Sequence, residues 1–197
     1  MKAQVEAITL VLISGIVIAL VGGAYLWGKP LIEKRTDATD IANAINFAEN
    51  LNKKIIDIAK TCTTPGACES SLDLPSKGVV TINESDNSII YEFNINQPLI
   101  TDEIPINTGN IDEIANFGET PSIIWMKGSV SGDAYKITIK IKYRELLDES
   151  QKKGYIIKLT GRGSGRNKIM VSYDGYEVGR DFLGNDLIIT KITTSIV

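Results

Sequence analysis

Histidine is absent from this chain of 197 residues, which also has only two cysteines and two tryptophans. Its absence removes the side chain that most often serves as a general base and as a ligand for transition metals. It also excludes nucleophile pairs that depend on an imidazole, such as Ser–His and Cys–His. We therefore expect a protein that is not an enzyme and that holds no metal or cofactor.

A strong net charge is also lacking, because the formal charge is −3 and the pI is near 5.1. Recognition of nucleic acid needs a basic domain or a concentrated basic patch. The glycine-rich stretch TGRGSGRNK carries Arg162, Arg166 and Lys168. Its spacing fits no phosphate loop, and a strand rather than a helix follows it. We predict an exposed hairpin turn there, and no nucleic-acid partner.

Acidic residues form small groups, but none has the spacing of a calcium loop. These groups are predicted to be solvated loop carboxylates: Asp102 with Glu103, Asp112 with Glu113, and Asp181 with Asn185 and Asp186.

Charge is absent altogether from Ala7 to Gly28. As a helix this run is about 33 Å long, close to the roughly 30 Å of a bilayer core. Its many Leu, Ile and Val residues favour insertion into a membrane. The run is longer than the apolar region of a secretory signal and ends without a small-x-small cleavage site. A membrane anchor and the core of an assembly are the two remaining interpretations.

The two cysteines, Cys62 and Cys68, flank a Pro65-Gly66 turn that is able to bring them together. A disulfide is the preferred prediction, and a pair of free thiols is the alternative. A disulfide would place this part of the chain outside the cytoplasm.

The cations around the apolar run favour the opposite location to the one that a disulfide indicates. Lys29, Lys34 and Arg35 follow the run and outnumber Lys2 before it, which favours a cytoplasmic location for the rest of the chain. For a plain anchor these two signals conflict.

Beyond the run, Pro30 is expected to kink or end the helix. Helical periodicity then resumes in an apolar stripe formed by Ile41, Ala44, Ala48, Leu51, Ile55 and Ile58, widened by Ile45, Ile56 and Ala59. The stripe is predicted to pack on the following domain. A coiled coil with a partner is the alternative.

From about Ser71 the apolar period changes from helical to two, which is typical of strands. Tyr135, Ile137, Ile139, Ile141 and Tyr143 alternate with lysines and a threonine, as in a half-buried antiparallel strand. The segment from Gln97 to Pro121 has no clear period and is predicted to be a long loop.

The predicted fold class is therefore α+β, a long N-terminal helix followed by an antiparallel β-sandwich or β-sheet head domain. Residues 4–60 form the helix, 61–70 the Cys-bounded turn and 71–197 the head. Residues 1–3 form a possible leader.

The N-terminus resembles that of archaeal type IV pilin-like proteins with a class III signal peptide. The resemblance is carried by the short leader MKA, Gln4, the early Glu6 and the unbroken apolar run. It implies that a prepilin peptidase cleaves after Lys2-Ala3, so that Gln4 becomes the first residue. It also implies a homo-oligomeric helical filament at the cell surface, built by a pilus assembly machinery from subunits held in the membrane.

In such a filament Glu6 would pair with the N-terminal amine of a neighbouring subunit, because a carboxylate beside an apolar helix is costly unless it is paired. The family commonly has this glutamate fifth in the mature chain, whereas cleavage before Gln4 makes Glu6 third. Gly15, Gly22 and Gly23 would allow close approach of helices.

Asn83-Glu84-Ser85 is a glycosylation sequon in a predicted turn, so an external head domain makes Asn83 a candidate acceptor. Adhesion or surface attachment is the role that we expect of the filament. The alternative is a single-pass, membrane-anchored external binding domain that does not polymerise.

Overall fold

The computed structural model describes residues 2–98, 100–108, 112–132, 134–148, 153–181 and 184–197, with side chains from residue 9 onward. The chain begins with one long helix, α1, Lys2–Thr61. The helix does not end at Pro30 but passes through it. An ion pair between Lys29 and Glu33 spans the proline with helical i,i+4 spacing. The apolar and amphipathic halves are therefore parts of one continuous helix.

Twelve strands follow within the described ranges. They are β1 Glu69–Asp73, β2 Val79–Asn83, β3 Ser88–Ile95, β4 Ile104–Pro105, β5 Ile114–Asn116, β6 Ser122–Ser131, β7 Ala134–Tyr143, β8 Glu145–Leu147, β9 Lys153–Thr160, β10 Gly163–Gly165, β11 Lys168–Arg180 and β12 Asp186–Ile196. The predicted long loop between Gln97 and Pro121 contains β4 and β5, whose two and three residues are too short to show a period in the sequence. The fold class is α+β, as predicted.

The strands form two six-stranded sheets. Sheet A has the order β1-β11-β12-β9-β8-β5, and sheet B the order β10-β2-β3-β7-β6-β4. Most neighbours are antiparallel, but β9 with β12 and β5 with β8 are parallel. After β9 the chain crosses to sheet B as β10 and returns through β11. This detour brings β12 alongside β9 in the same direction.

The core is shared by the helix and both sheets, because α1 contacts β6 and β7 of sheet B and β1, β11 and β12 of sheet A. All six residues of the predicted stripe are buried, and Phe47 joins them. Ile45, Ile56 and Ala59 pack at the edge of the same cluster. The prediction that the stripe packs on the following domain is confirmed, so its partner is the chain itself.

Asn87 links the two sheets from the turn between β2 and β3. Its φ of 50° lies in the left-handed region, which asparagine tolerates better than most residues. Its Nδ2 donates to the carbonyls of Tyr143 in β7 and Ile157 in β9, at 3.2 and 2.7 Å. Its Oδ1 accepts from the Leu159 amide at 2.8 Å. One turn residue thus joins the backbones of both sheets.

Candidate assembly surface

The first half of α1 contributes no residue to the hydrophobic core of the described part of the chain. Its large apolar side chains are all exposed: Leu10, Val11, Leu12, Ile13, Ile16, Val17, Ile18, Leu20, Val21, Tyr25, Leu26, Trp27, Leu31 and Ile32. The described residues contain one helix that is apolar and long enough to cross a membrane, and its apolar window is not buried at all. We call residues 9–28 the apolar segment.

Exposure extends around the whole circumference of the apolar segment. Consecutive residues of a helix point about 100° apart, so the run from Leu10 to Ile13 alone covers all sides. A helix that is apolar all round is typical of a large protein core or of a membrane span. No described residue buries this segment, which is compatible with insertion into a membrane.

The glycines of the apolar segment lie in open space in the isolated subunit. A Cβ atom built on Gly15, Gly22 or Gly23 meets nothing within 4 Å. The nearby Ser14 satisfies its hydroxyl inside the helix by donating to the Leu10 carbonyl at 2.5 Å. The segment is thus compatible with an apolar surrounding, and its glycines leave room for a neighbour at close range.

The predicted leader and pairing residues lie at the start of the helix. Lys2, Ala3, Gln4 and Glu6 belong to α1. Their side chains lie outside the part of the chain that the structure describes. Cleavage before Gln4 and the pairing of Glu6 therefore stay predictions.

The head domain is fastened to the helix at Asp37. This carboxylate is 1% exposed and accepts from the Asn96 amide, the Asn96 Nδ2 and the Gln97 amide, at 3.0, 3.3 and 3.1 Å. The apolar periodicity alone does not predict this role of Asp37. In the sequence, Asp37 stands four residues before Ile41, so it lies on the same face of the helix as the apolar stripe. This position could have indicated that its carboxylate faces the head. Asp37 marks the point where the exposed part of α1 ends and the head begins.

One turn further along α1, Asp40 forms an ion pair with Lys77 at 2.5 Å. Tyr91 lies beside this pair and donates from its hydroxyl to the Lys77 carbonyl. Burial and, after it, the Asp40 charge together raise the pKa of Tyr91 to about 12. The hydroxyl therefore stays protonated and keeps this contact at physiological pH.

Cys62 and Cys68 form a disulfide directly after the helix. The intervening turn has the predicted geometry, since Gly66 has a φ of 74° and the Ala67 amide donates to the Thr64 carbonyl at 3.2 Å. The bond ties the end of α1 to the start of β1.

Asn83 closes β2 and begins the turn to β3. Its Oδ1 accepts from the Ser85 hydroxyl at 2.7 Å and from the Asp86 amide at 3.3 Å. The Asn83 side chain is thus held within the β2–β3 turn. Glycosylation of Asn83 stays a prediction.

The glycine-rich stretch 160–168 is not a hairpin turn, which corrects the sequence analysis. The strands on either side of it, β9 and β11, are not neighbours in sheet A. Its middle forms β10 and pairs with β2 of sheet B. Gly161, with a φ of 126°, passes so close to the Thr194 carbonyl that a Cβ atom would lie 2.0 Å from the oxygen. Glycine at this position therefore allows the close backbone approach that the crossing between the sheets requires.

Two of the three acidic groups contain residues that bind other parts of the chain. Glu113 binds the Lys142 ammonium at 2.6 Å, and the Asp112 carbonyl accepts from buried Arg144 at 3.1 Å. Asp181 is buried, at 7% exposed, and accepts from the amide and side chain of Asn185, so the prediction of a solvated carboxylate is wrong there. Asp102 and Glu103 are exposed on the loop before β4. Within the described ranges no three His, Cys, Asp or Glu side chains are grouped for a metal ion.

The head carries an open cleft of about 710 Å³ beside the β2–β3 turn. Four apolar side chains line it, together with Lys158 and Arg162: Ile82, Ile156, Leu187 and Ile189. Asn83 lies at its border. The cleft can accept a ligand with apolar surface, but it holds no residue set typical of catalysis.

Comparison of the chain with protein-family models, curated proteins and solved structures finds no match.

Proposed function

We propose that this protein is a structural subunit of an extracellular filament of the type IV pilus kind, which assembles through the apolar segment. The observation that carries the proposal is the continuity of α1. An uncovered apolar half and a half that forms the core of the head belong to one helix, so packing of the first half fixes the position of the second. In this proposal lipid covers the apolar segment before assembly, and the helices of other copies cover it afterwards.

Two features support external assembly. The disulfide is typical of proteins outside the cytoplasm. The glycines of the apolar segment have free space around them. A prepilin peptidase that cleaves before Gln4 would keep the segment in the mature subunit, and surface attachment is the role that we propose for the filament.

The alternative is a single-pass anchored binding domain, and the open cleft of the head favours it. In that case the subunit stays single in the membrane, and the cleft takes the ligand.

The two proposals differ in what happens when detergent is removed from the mature chain, which begins at Gln4. We expect the wild type to form filaments visible by electron microscopy. A Gly15→Leu/Gly22→Leu variant should insert into vesicles as well as the wild type but form few filaments, because the added side chains hold neighbouring helices apart. The matched control Val17→Leu/Val21→Leu enlarges exposed neighbours of the glycines and should assemble. A wild type that stays dispersed as single anchored subunits would support the alternative.

A Glu6→Ala variant tests the proposed pairing within the same assay. We expect normal insertion and impaired polymerisation, because the pairing that sets the axial register is gone. Filaments of normal yield and register from this variant would show that Glu6 has no such role.

A further inference from the structure

A short stretch of α1, residues 29–36, separates the apolar segment from the head and carries three cations. Lys29 lies 3.8 Å from Glu33, and both side chains are exposed. Lys34 and Arg35 are exposed too, and neither forms an ion pair with any residue that the structure describes. The stretch therefore presents two uncompensated positive charges directly beyond the apolar segment.

The position of these cations follows from the helix rise. Tyr25 and Trp27 end the apolar segment and are 65% and 78% exposed, and such aromatic side chains prefer the boundary between lipid and water. Lys34 and Arg35 lie about 11 and 12 Å further along the helix. The headgroup layer begins at that boundary and is about 5 to 8 Å thick. Long basic side chains can lean back over this distance while their apolar stems lie along the helix.

The head leaves this surface open. The loop at Asn96 and Gln97 binds Asp37 on one side of the helix, and the Gln97 side chain approaches the Pro30 carbonyl at 3.5 Å. Arg35 is two residues before Asp37 and so points about 160° away from it. The head thus binds the helix on the side of Asp37 and leaves Arg35 exposed.

We propose that Lys34 and Arg35 bind anionic lipid headgroups on the side of the bilayer that carries the head domain. This inference rests on the proposed membrane insertion before assembly. Opposite charge selects the partner, and Tyr25 and Trp27 set the depth at which the cations meet it. The contact also explains why cations follow the apolar segment on the side of the disulfide, where the positive-inside pattern disfavours them.

The test uses the full-length, disulfide-bonded protein in phosphatidylcholine vesicles. Electron spin resonance compares the association of spin-labelled phosphatidylglycerol with that of spin-labelled phosphatidylcholine. We expect the wild type to prefer phosphatidylglycerol in a salt-sensitive manner, and each cation removed to lower the preference by up to about fivefold. Lys34→Gln/Arg35→Gln should therefore abolish most of it. The matched control is Lys53→Gln/Lys60→Gln, which removes two exposed cations at least about 39 Å beyond Trp27 and should keep the preference.

Insertion is measured separately by quenching of Trp27 fluorescence with brominated lipid in a Trp125→Phe background. Failure to insert would contradict both this inference and the proposed function. Normal insertion without a preference for phosphatidylglycerol would overturn the inference alone. A Lys34→Gln/Arg35→Gln variant that keeps the lipid preference but loses filaments would also overturn it, because the cations would then bind carboxylates of a neighbouring subunit.

Discussion

The two halves of α1 belong to one helix but differ in whether their apolar side chains are exposed or buried. From Leu10 to Ile32 apolar side chains are exposed on every side, whereas from Ile41 to Ile58 they lie on one side and are buried by both sheets. The difference is the period of the apolar residues. A period of three to four gives a helix one apolar face, which its own chain can cover. A continuous apolar run needs a partner on all sides, which a single subunit of this size does not supply.

We expect the largest difference between the two halves of α1 when one leucine in each half is shortened to alanine. Leu51→Ala should lower the free energy of unfolding of the head by about 2 to 5 kcal/mol, because Leu51 is fully buried. Leu20→Ala should change it by less than about 0.5 kcal/mol, because Leu20 is exposed. Denaturant unfolding in detergent, followed by the fluorescence of Trp125 in a Trp27→Phe background, measures both. Equal losses would mean that the halves are not energetically distinct.

The disulfide offers the next largest effect. Replacing Cys62 and Cys68 with serine should cost about 2 kcal/mol of head stability, because the bond closes a short loop at the end of α1. Reduction of the wild type should give the same loss in the same unfolding experiment. Membrane insertion, reported by Trp27, should not change. A variant as stable as the oxidised wild type would contradict a stabilising role for the bond.

Asp37 tests the junction of the two halves. Asp37→Ala removes three hydrogen bonds at the base of the head and should cost about 2 kcal/mol. Asp40→Ala is the matched control, since its pair with Lys77 is partly exposed and should be worth less than about 1 kcal/mol. Hydrogen exchange at Asn96 and Gln97 should rise in the first variant only. Unchanged exchange there would show that Asp37 does not hold the loop.

The smallest expected effect is a pH dependence of the stability of the head, which arises from Glu145. Burial and then the Asp181 charge raise the pKa of Glu145, and its Oε1 has no hydrogen-bond partner among the described residues. A raised pKa in the folded state means that folding favours the protonated form of Glu145. The stability that this protonated form contributes is present in acid and is lost as the pH rises through the folded pKa. Glu145→Gln should therefore be more stable than the wild type at neutral pH. The difference should shrink as the pH falls through this raised pKa and be gone below about pH 4, and a constant difference across pH would contradict this origin.

Periodicity was sufficient to predict the elements that pack by it. The helical stripe of Ile41 to Ile58 and the alternation of Ile137, Ile139 and Ile141 in β7 correspond to buried faces in the structure. The Pro65-Gly66 turn was also predictable, because each residue restricts or extends φ in a known way. The exposed surface of the apolar segment followed from composition alone.

Contacts between distant residues were not predictable in this way. An alternating pattern is the same for parallel and antiparallel neighbours, so it did not show that β9 and β12 are parallel. Asn87 and Asp37 look like ordinary polar residues in the sequence. Their roles depend on backbone groups of β7, β9 and the loop after β3, which the fold alone brings to them.

The central claim is that the apolar segment stays in the mature protein and is covered by other copies of it. The most direct test is the intact mass of the native protein from filaments sheared off the cell surface. The account predicts filaments whose subunits lack only residues 1–3 and keep the apolar segment. A full-length chain found only in the membrane, or a secreted chain without the apolar segment, would contradict it.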